Sequence, residues 1–146
     1  MKIIKIAFLS GVFLLISCVL GACQNNNAKI ISSNEADYFT VVVKKDEGAE
    51  NTTSGKDPTQ MKYLLGNIES LFGNSTNGST FSGTEITDQE RAYGYQVVFY
   101  KEDKVVQEIT IFQKNKVTVN KENYTIGTNR GENLDNLKKH LLTITQ

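Results

Sequence analysis

The hydrophobic and polar positions divide the chain into three stretches with different patterns. Residues 6–22 are apolar apart from serines and glycines, and residues 24–34 are mostly polar, rich in Asn and without periodicity. Further along, apolar side chains recur with the spacings of strands and helices. The pattern predicts a leader over residues 1–22, a flexible tether over residues 23–34 and one folded domain over residues 35–146.

The helical pattern is clearest near the middle of the chain. Asp57 can cap a helix, Pro58 suits the first helical position, and Gln60 stands where a capping box has its second partner. Apolar side chains then recur at spacings of three and four residues, and Gly73 can close the helix. This stripe consists of Met61, Leu64, Leu65, Ile68, Leu71 and Phe72.

Strands are predicted on both sides of this helix. Tyr38–Lys44 is β-branched and aromatic and predicts the first strand, whereas Asp46–Lys56 is polar and predicts a loop. Residues 74–83 predict either a mobile loop or a loop with one short edge strand. From residue 92 onward, apolar stretches alternate with polar turns, which indicates an antiparallel meander. The turns are Lys101–Lys104, Lys114–Lys116 and Asn120–Asn123.

The last segment predicts a second helix, whose start is capped either by Asn129 together with Glu132 or by Asn133 alone. Its apolar stripe consists of Leu134, Leu137 and Leu141, and Ile144 is a further candidate for it.

These elements predict an α+β domain with a single antiparallel sheet of about four to five strands and two helices. The expected order is one strand, a helix, three or four strands and a helix. The helices should cover one sheet face and leave the other more open. In outline this order resembles cystatin-like and TATA-box-binding-protein-like folds, with which it shares no motif, and those folds host unrelated functions.

The start of the chain has the features of a secretory signal peptide. Lys2 and Lys5 precede the apolar run, and small residues precede the change in polarity at Gln24. A transmembrane helix is the alternative, but the run is short for one, and uncharged amides follow it instead of a basic stop.

A short motif makes the leader more specific. Leu20-Gly21-Ala22-Cys23 resembles the lipobox of bacterial lipoproteins, in which a large aliphatic residue and two small residues precede a cysteine. The resemblance implies that the Cys23 thiol is joined to a diacylglycerol and that the signal peptide is cut before it. It also implies a mature protein anchored by lipid at the outer face of the cell membrane.

A second cysteine offers a rival lipidation site. Residues 15–18 also match the lipobox pattern, but polarity changes after Cys23 and not after Cys18, which favours Cys23. Ordinary signal-peptidase cleavage after Ala22 is a third possibility, and it would leave an N-terminal cysteine with no evident purpose.

Composition excludes several classes of function. The chain has two cysteines, both in or beside the leader, so the mature domain has no disulfide. Removing Lys2 and Lys5 from the 16 basic residues leaves 14 against 16 acidic ones, a net charge of −2. A slightly acidic domain does not have the electrostatic footprint of a nucleic-acid-binding protein.

Candidate catalytic and metal-binding residues are few. His140 is the single histidine and is expected to act as a partner of a helix C-terminus, so neither a metal site nor a cofactor is predicted. Glu85, Asp88 and Glu90 form an acidic cluster that suits paired-carboxylate chemistry, but solvated loop charge is the favoured interpretation. The sequence therefore predicts a protein that is not an enzyme.

The aromatic residues near the start of the meander are the candidate binding surface. Tyr93, Tyr95 and Tyr100 can bind a protein or peptide if the second sheet face is open. Half-buried strand tyrosines are the simpler interpretation, since tyrosine is common in strands.

The favoured hypothesis is a lipid-anchored, non-catalytic binding protein at the extracytoplasmic face of the membrane. A bacteriocin-immunity lipoprotein that sequesters a peptide at the membrane surface is an alternative, and a cell-envelope hydrolase that uses the acidic cluster is a weaker one.

Overall fold

The computed structural model describes residues 28–45, 49–73 and 80–146. The predicted leader, its lipobox and the competing sites Cys18 and Cys23 lie outside these residues. Lipidation and the cleavage site therefore stay predictions.

The described residues form seven strands and three helices. The strands make one antiparallel sheet, and helices pack on it. The strands are β1 (Tyr38–Lys45), β2 (Ala49–Gly55), β3 (Thr80–Ser82), β4 (Gly94–Lys101), β5 (Lys104–Phe112), β6 (Lys116–Val119) and β7 (Glu122–Ile126). The helices are α1 (Pro58–Glu69), α2 (Asp88–Arg91) and α3 (Gly131–Ile144), and 3-10 turns occupy Ser33–Glu35 and Thr128–Arg130. The strand order is β2-β1-β4-β5-β6-β7-β3.

The predicted α+β class with a single antiparallel sheet is confirmed, and the sheet gains two edge strands. β2 pairs with β1 inside the segment 46–56, so the prediction of a loop there is wrong. Asn51, Thr52 and Ser54 are exposed, so no apolar alternation marks this strand in the sequence. β3 pairs with β7, which confirms the edge-strand alternative for residues 74–83.

The predicted meander forms as β4 to β7, and two of its turns have left-handed backbone at both central residues. The values of φ are +48° and +60° at Glu102 and Asp103, and +48° and +74° at Asn120 and Lys121. Positive φ at both central residues is the type I′ geometry that matches the twist of antiparallel strands. These two polar turns were correctly placed by the sequence.

The core lies between one face of the sheet, the core face, and the helices α1 and α3. Side chains alternate across a strand, so Phe39 and Val41 lie on the same face as their partners Phe99 and Val97. All four are fully buried, in one cluster with the apolar stripes of both helices. These stripes include Met61, Leu64, Leu65 and Ile68 of α1 and Leu134, Leu137 and Leu141 of α3, as their spacing predicts.

Polar contacts fix both ends of α1. The Asp57 side chain accepts a hydrogen bond of 2.8 Å from the backbone N–H of Gln60, which confirms the predicted cap. The helix stops before the predicted end at Gly73. The Arg130 guanidinium donates hydrogen bonds to the backbone oxygens of Ser70 at 2.7 Å and Gly73 at 3.0 Å. A distant arginine therefore satisfies carbonyls that follow the helix.

The start of α3 differs from both predicted caps. Arg130 is the N-cap residue, and its guanidinium has no acceptor atom with which to cap the helix. The preceding 3-10 turn leads directly into the helix. The Asn133 amide donates to the backbone oxygen of Ser70 at 3.2 Å. Caps at Asn129 with Glu132, or at Asn133, are therefore wrong, and the Asn133 amide is used in a contact with the end of α1.

The segment before β1 packs on the domain. The side chains of Ala28, Ile30 and Ile31 are partly buried against the core. The described part of the predicted tether thus lies against the fold from Ala28 onward.

Candidate functional site

The second face of the sheet, the outer face, is where the candidate binding residues were expected. Its central side chains follow from the register, in which Tyr38 lies opposite Tyr100, Thr40 opposite Val98, and Val98 opposite Glu108. The outer face of β1, β4 and β5 comprises Tyr38, Thr40, Val42, Gln96, Val98, Tyr100, Glu108 and Thr110.

Residues 83–91 cover the part of the outer face formed by β6 and β7. The Thr84 and Thr125 hydroxyls are hydrogen-bonded to each other. The Lys116 ammonium donates to the backbone oxygen of Glu85 at 2.7 Å and to the Glu90 carboxylate at 2.9 Å. The sequence missed this cover, because its short helix α2 has four residues and no apolar stripe.

Glu90 attaches this cover to the sheet through its carboxylate. Its carboxylate accepts hydrogen bonds from the Thr87 backbone N–H at 3.0 Å and from Lys116, in a capping box at the start of α2. The hydrogen bonds from Lys116 and Thr87 lower the pKa of Glu90 to about 2. The prediction of solvated loop charge is wrong for Glu90 and agrees with the exposed positions of Glu85 and Asp88. A carboxyl held ionised by a lysine is a poor general acid near neutral pH.

Two stacked tyrosines occupy the end of the outer face next to the β4–β5 turn. The rings of Tyr38 and Tyr100 have centroids 4.6 Å apart and planes inclined by 7°. The Tyr38 hydroxyl donates to the Asp103 carboxylate at 3.1 Å, and the Lys56 ammonium lies 5.6 Å from the centre of the Tyr38 ring. We call Tyr38, Tyr100, Lys56 and Asp103 the tyrosine platform.

The electrostatics of the platform favour a neutral, hydrogen-bonding tyrosine. Desolvation and the hydrogen bond to Asp103 both raise the pKa of Tyr38 above its ordinary value. Both rings are partly exposed. The platform therefore offers aromatic surface, a phenol hydroxyl, an ammonium and a carboxylate within one patch, a combination suited to contacts with protein side chains.

The structure separates the three predicted tyrosines. Tyr100 lies on the outer face in the platform, whereas Tyr95 lies on the core face, partly buried against the core. Tyr93 precedes β4 and is partly buried. Tyr38 was missed, although its alternation with buried Phe39 signals an outward side chain once the faces of the sheet are known.

His140 faces α1 and not the end of its own helix. Its Nδ1 lies 3.2 Å from the amide nitrogen of Asn67. Its ring packs edge-on against the ring of Tyr63, with the two centroids 4.7 Å apart. Burial lowers the pKa of His140 below its ordinary value. An imidazole that packs against the other helix, with its charged form disfavoured by burial, does not fit the predicted role of a helix-end partner.

Within residues 28–45, 49–73 and 80–146, no three His, Cys, Asp or Glu side chains converge as a metal site. In the same ranges no helix has the length and apolar character needed to span a bilayer.

Comparison of the chain with protein-family models, with curated proteins and with solved structures finds no match in any of the three.

Proposed function

We propose that this chain is a lipid-anchored, non-catalytic protein of the bacterial cell envelope that binds a protein or peptide through the tyrosine platform. The observation that carries the binding role is the stacked pair Tyr38 and Tyr100, which keeps partly exposed aromatic surface on the outer face. The anchor is supported by the lipobox-like residues 20–23.

The chemistry of the platform supports a protein partner. Tyrosine supplies a large, rigid contact area together with a hydroxyl, and ordering it on binding costs little side-chain entropy. Here the stack orders both rings in advance, and Lys56 and Asp103 flank it with opposite charges. β2, the edge of the sheet beside β1, presents exposed polar side chains along the same side.

Site-specific photo-cross-linking in intact cells tests the binding role. A benzophenone amino acid at Thr40, on the outer face beside the platform, should give a discrete cross-linked product. The same probe at exposed Gln113, at the far end of β5, should give none. Absence of a product at Thr40, or equal products at both positions, would overturn the assignment.

Two variants connect that product to the tyrosine stack. Tyr38→Ser removes the ring and should lower the yield of the cross-linked product at Thr40 several-fold. Tyr38→Phe keeps the stacked ring and loses the hydrogen bond to Asp103, so it should retain most of the yield. Intact mass measurement of the membrane-extracted protein tests the anchor separately, through a diacylglycerol adduct on Cys23.

A further inference from the structure

We infer that a short, clamped connection to the anchor holds one end of the sheet, the end with the β4–β5 turn, against the lipid headgroups. This inference rests on the proposed lipid anchor at Cys23. The domain then has a fixed orientation on the membrane instead of moving freely on a flexible tether.

The clamp is the side chain of Gln107, which is 1% exposed. Its amide nitrogen donates to the backbone oxygen of Lys29 at 2.8 Å, and its amide oxygen accepts from the backbone N–H of Ile31 at 3.1 Å. A buried amide used in both directions fixes the backbone on either side of residue 30. Partly buried Ala28 and Ile31 side chains add apolar contacts.

Covalent geometry then limits the distance to the bilayer. Five backbone steps separate Cys23 from Ala28 in the sequence. A fully extended chain of that length spans at most about 18 Å, at roughly 3.6 Å per residue. With its diacylglycerol in the membrane, Cys23 stays at the headgroup level, so Ala28 stays within that distance of the headgroups.

The residues that follow the clamp are bonded to the β4–β5 turn. The backbone N–H of Asp37 donates to the backbone oxygen of Tyr100 at 2.7 Å, and its carboxylate accepts from the N–H of Glu102 at 2.8 Å. Lys101 donates to the backbone oxygen of Asn34 at 3.2 Å. The connection to the anchor and this turn therefore lie at one end of the sheet, the proximal end, formed by residues 28–37 and 101–105.

The side chains at the proximal end suit a headgroup layer. Val105 is 57% exposed and is flanked by Lys104. Partly exposed Tyr100 lies opposite Val105 in the register, and Tyr38 lies opposite Tyr100 on its other side. Amphipathic side chains of this kind tolerate contact with an interface between water and lipid. The negative charges of Glu102 and Asp103 balance the positive charges of Lys101 and Lys104, so this end is not a basic patch. In this proposal the lipid and the short connection hold it at the membrane.

The orientation has a consequence for the proposed partner. The tyrosine platform lies at the proximal end, so its partner is reached close to the headgroups. A partner that is itself embedded in or bound to the membrane fits this position.

The experiment uses the full lipidated protein in phosphatidylcholine vesicles that contain lipids with nitroxide headgroups. The proposed cleavage removes Cys18 and the proposed anchor acylates Cys23, so a single new cysteine is then the one free thiol and carries the fluorophore. Val105→Cys reports on the proximal end. Gln113→Cys, just after the far end of β5 and eight residues or about 27 Å away along the strand, is the matched control.

We expect the headgroup nitroxides to quench the probe at position 105 several-fold more than the probe at position 113. Equal quenching, or stronger quenching at 113, would overturn the orientation while the anchor stands. A Gly/Ser insertion of 20 residues after Asn27 should abolish the difference, and a difference that persists would overturn the role of the short connection. A protein that does not float with the vesicles would instead overturn the anchor, and the orientation with it.

Discussion

The ammonium of Lys116 lies 2.9 Å from the carboxylate oxygen Oε2 of Glu90, and this ion pair joins strand β6 to helix α2. Both side chains are largely shielded, with 20% and 10% exposure. The Lys116 ammonium also donates a hydrogen bond to the backbone oxygen of Glu85. One lysine therefore holds the segment that covers part of the outer face and leaves the tyrosine platform beyond the cover.

The pH dependence of stability should report this pair. Glu90 has a pKa of about 2 in the folded protein against 4.5 for an ordinary glutamate, so folding favours its ionised form. Its contribution is complete above about pH 4.5 and is lost as the pH falls toward 2. Glu90→Gln should lower the urea midpoint at pH 7, and its difference from wild type should shrink below pH 4.5.

Asp88→Asn is the matched control, because Asp88 is exposed and lies in the same short helix. It should leave the urea midpoint nearly unchanged. A Glu90→Gln effect that stays constant from pH 7 to pH 3 would contradict the assigned ion pair.

Loss of the Gln107 clamp should lower the free energy of unfolding. Gln107→Met keeps the size of the side chain and leaves the Ile31 N–H and the Lys29 carbonyl without their partner, which should cost about 2 kcal/mol. Gln113→Met, at an exposed position, should change stability by less than about 0.5 kcal/mol. Urea unfolding measures both, and hydrogen exchange at Ile31 should accelerate only in the first variant.

Two glycine substitutions should have opposite signs. Gly66 lies in α1 with open space around a new Cβ, so Gly66→Ala should stabilise the domain by about 0.8 kcal/mol. At Gly94 a new Cβ would clash with the backbone oxygen of Ile111, and Gly94→Ala should destabilise by about 1–3 kcal/mol. Thermal unfolding of both variants checks the prediction: a stabilising Gly94→Ala would contradict the β4–β5 register, and a destabilising Gly66→Ala would contradict the open surroundings of Gly66 in α1.

Truncating a buried and an exposed leucine of α3 should lower stability by different amounts. Leu137 is fully buried, so Leu137→Ala should cost about 2–5 kcal/mol through lost burial and a residual cavity. Leu142 is 38% exposed, and Leu142→Ala should cost much less, about 0.5 kcal/mol. Similar losses in urea unfolding would mean that α3 does not pack through its predicted stripe.

Periodicity and turn chemistry were enough to place the main elements. The stripe from Met61 to Ile68 and the cap at Asp57 are local features, and the structure realises both. The two-residue turns at Glu102–Asp103 and Asn120–Lys121 are local as well, so the meander followed from the sequence. The leader pattern rests on local sequence alone, and it carries the proposal about the anchor.

Tertiary structure decided everything that depends on pairing between distant segments. β2 has exposed polar side chains, so only its backbone hydrogen bonds to β1 make it a strand. The predicted caps of α3 are wrong because Asn129 lies in a 3-10 turn before the helix and the Asn133 amide donates to Ser70, more than 60 residues away. The register between β1 and β4 stacked Tyr38 on Tyr100 and placed Tyr95 on the other face, since alternation puts neighbouring side chains on opposite sides. Local sequence determined the helices α1 and α3 and the strands of the meander, and long-range hydrogen bonding determined β2 and which side chains meet.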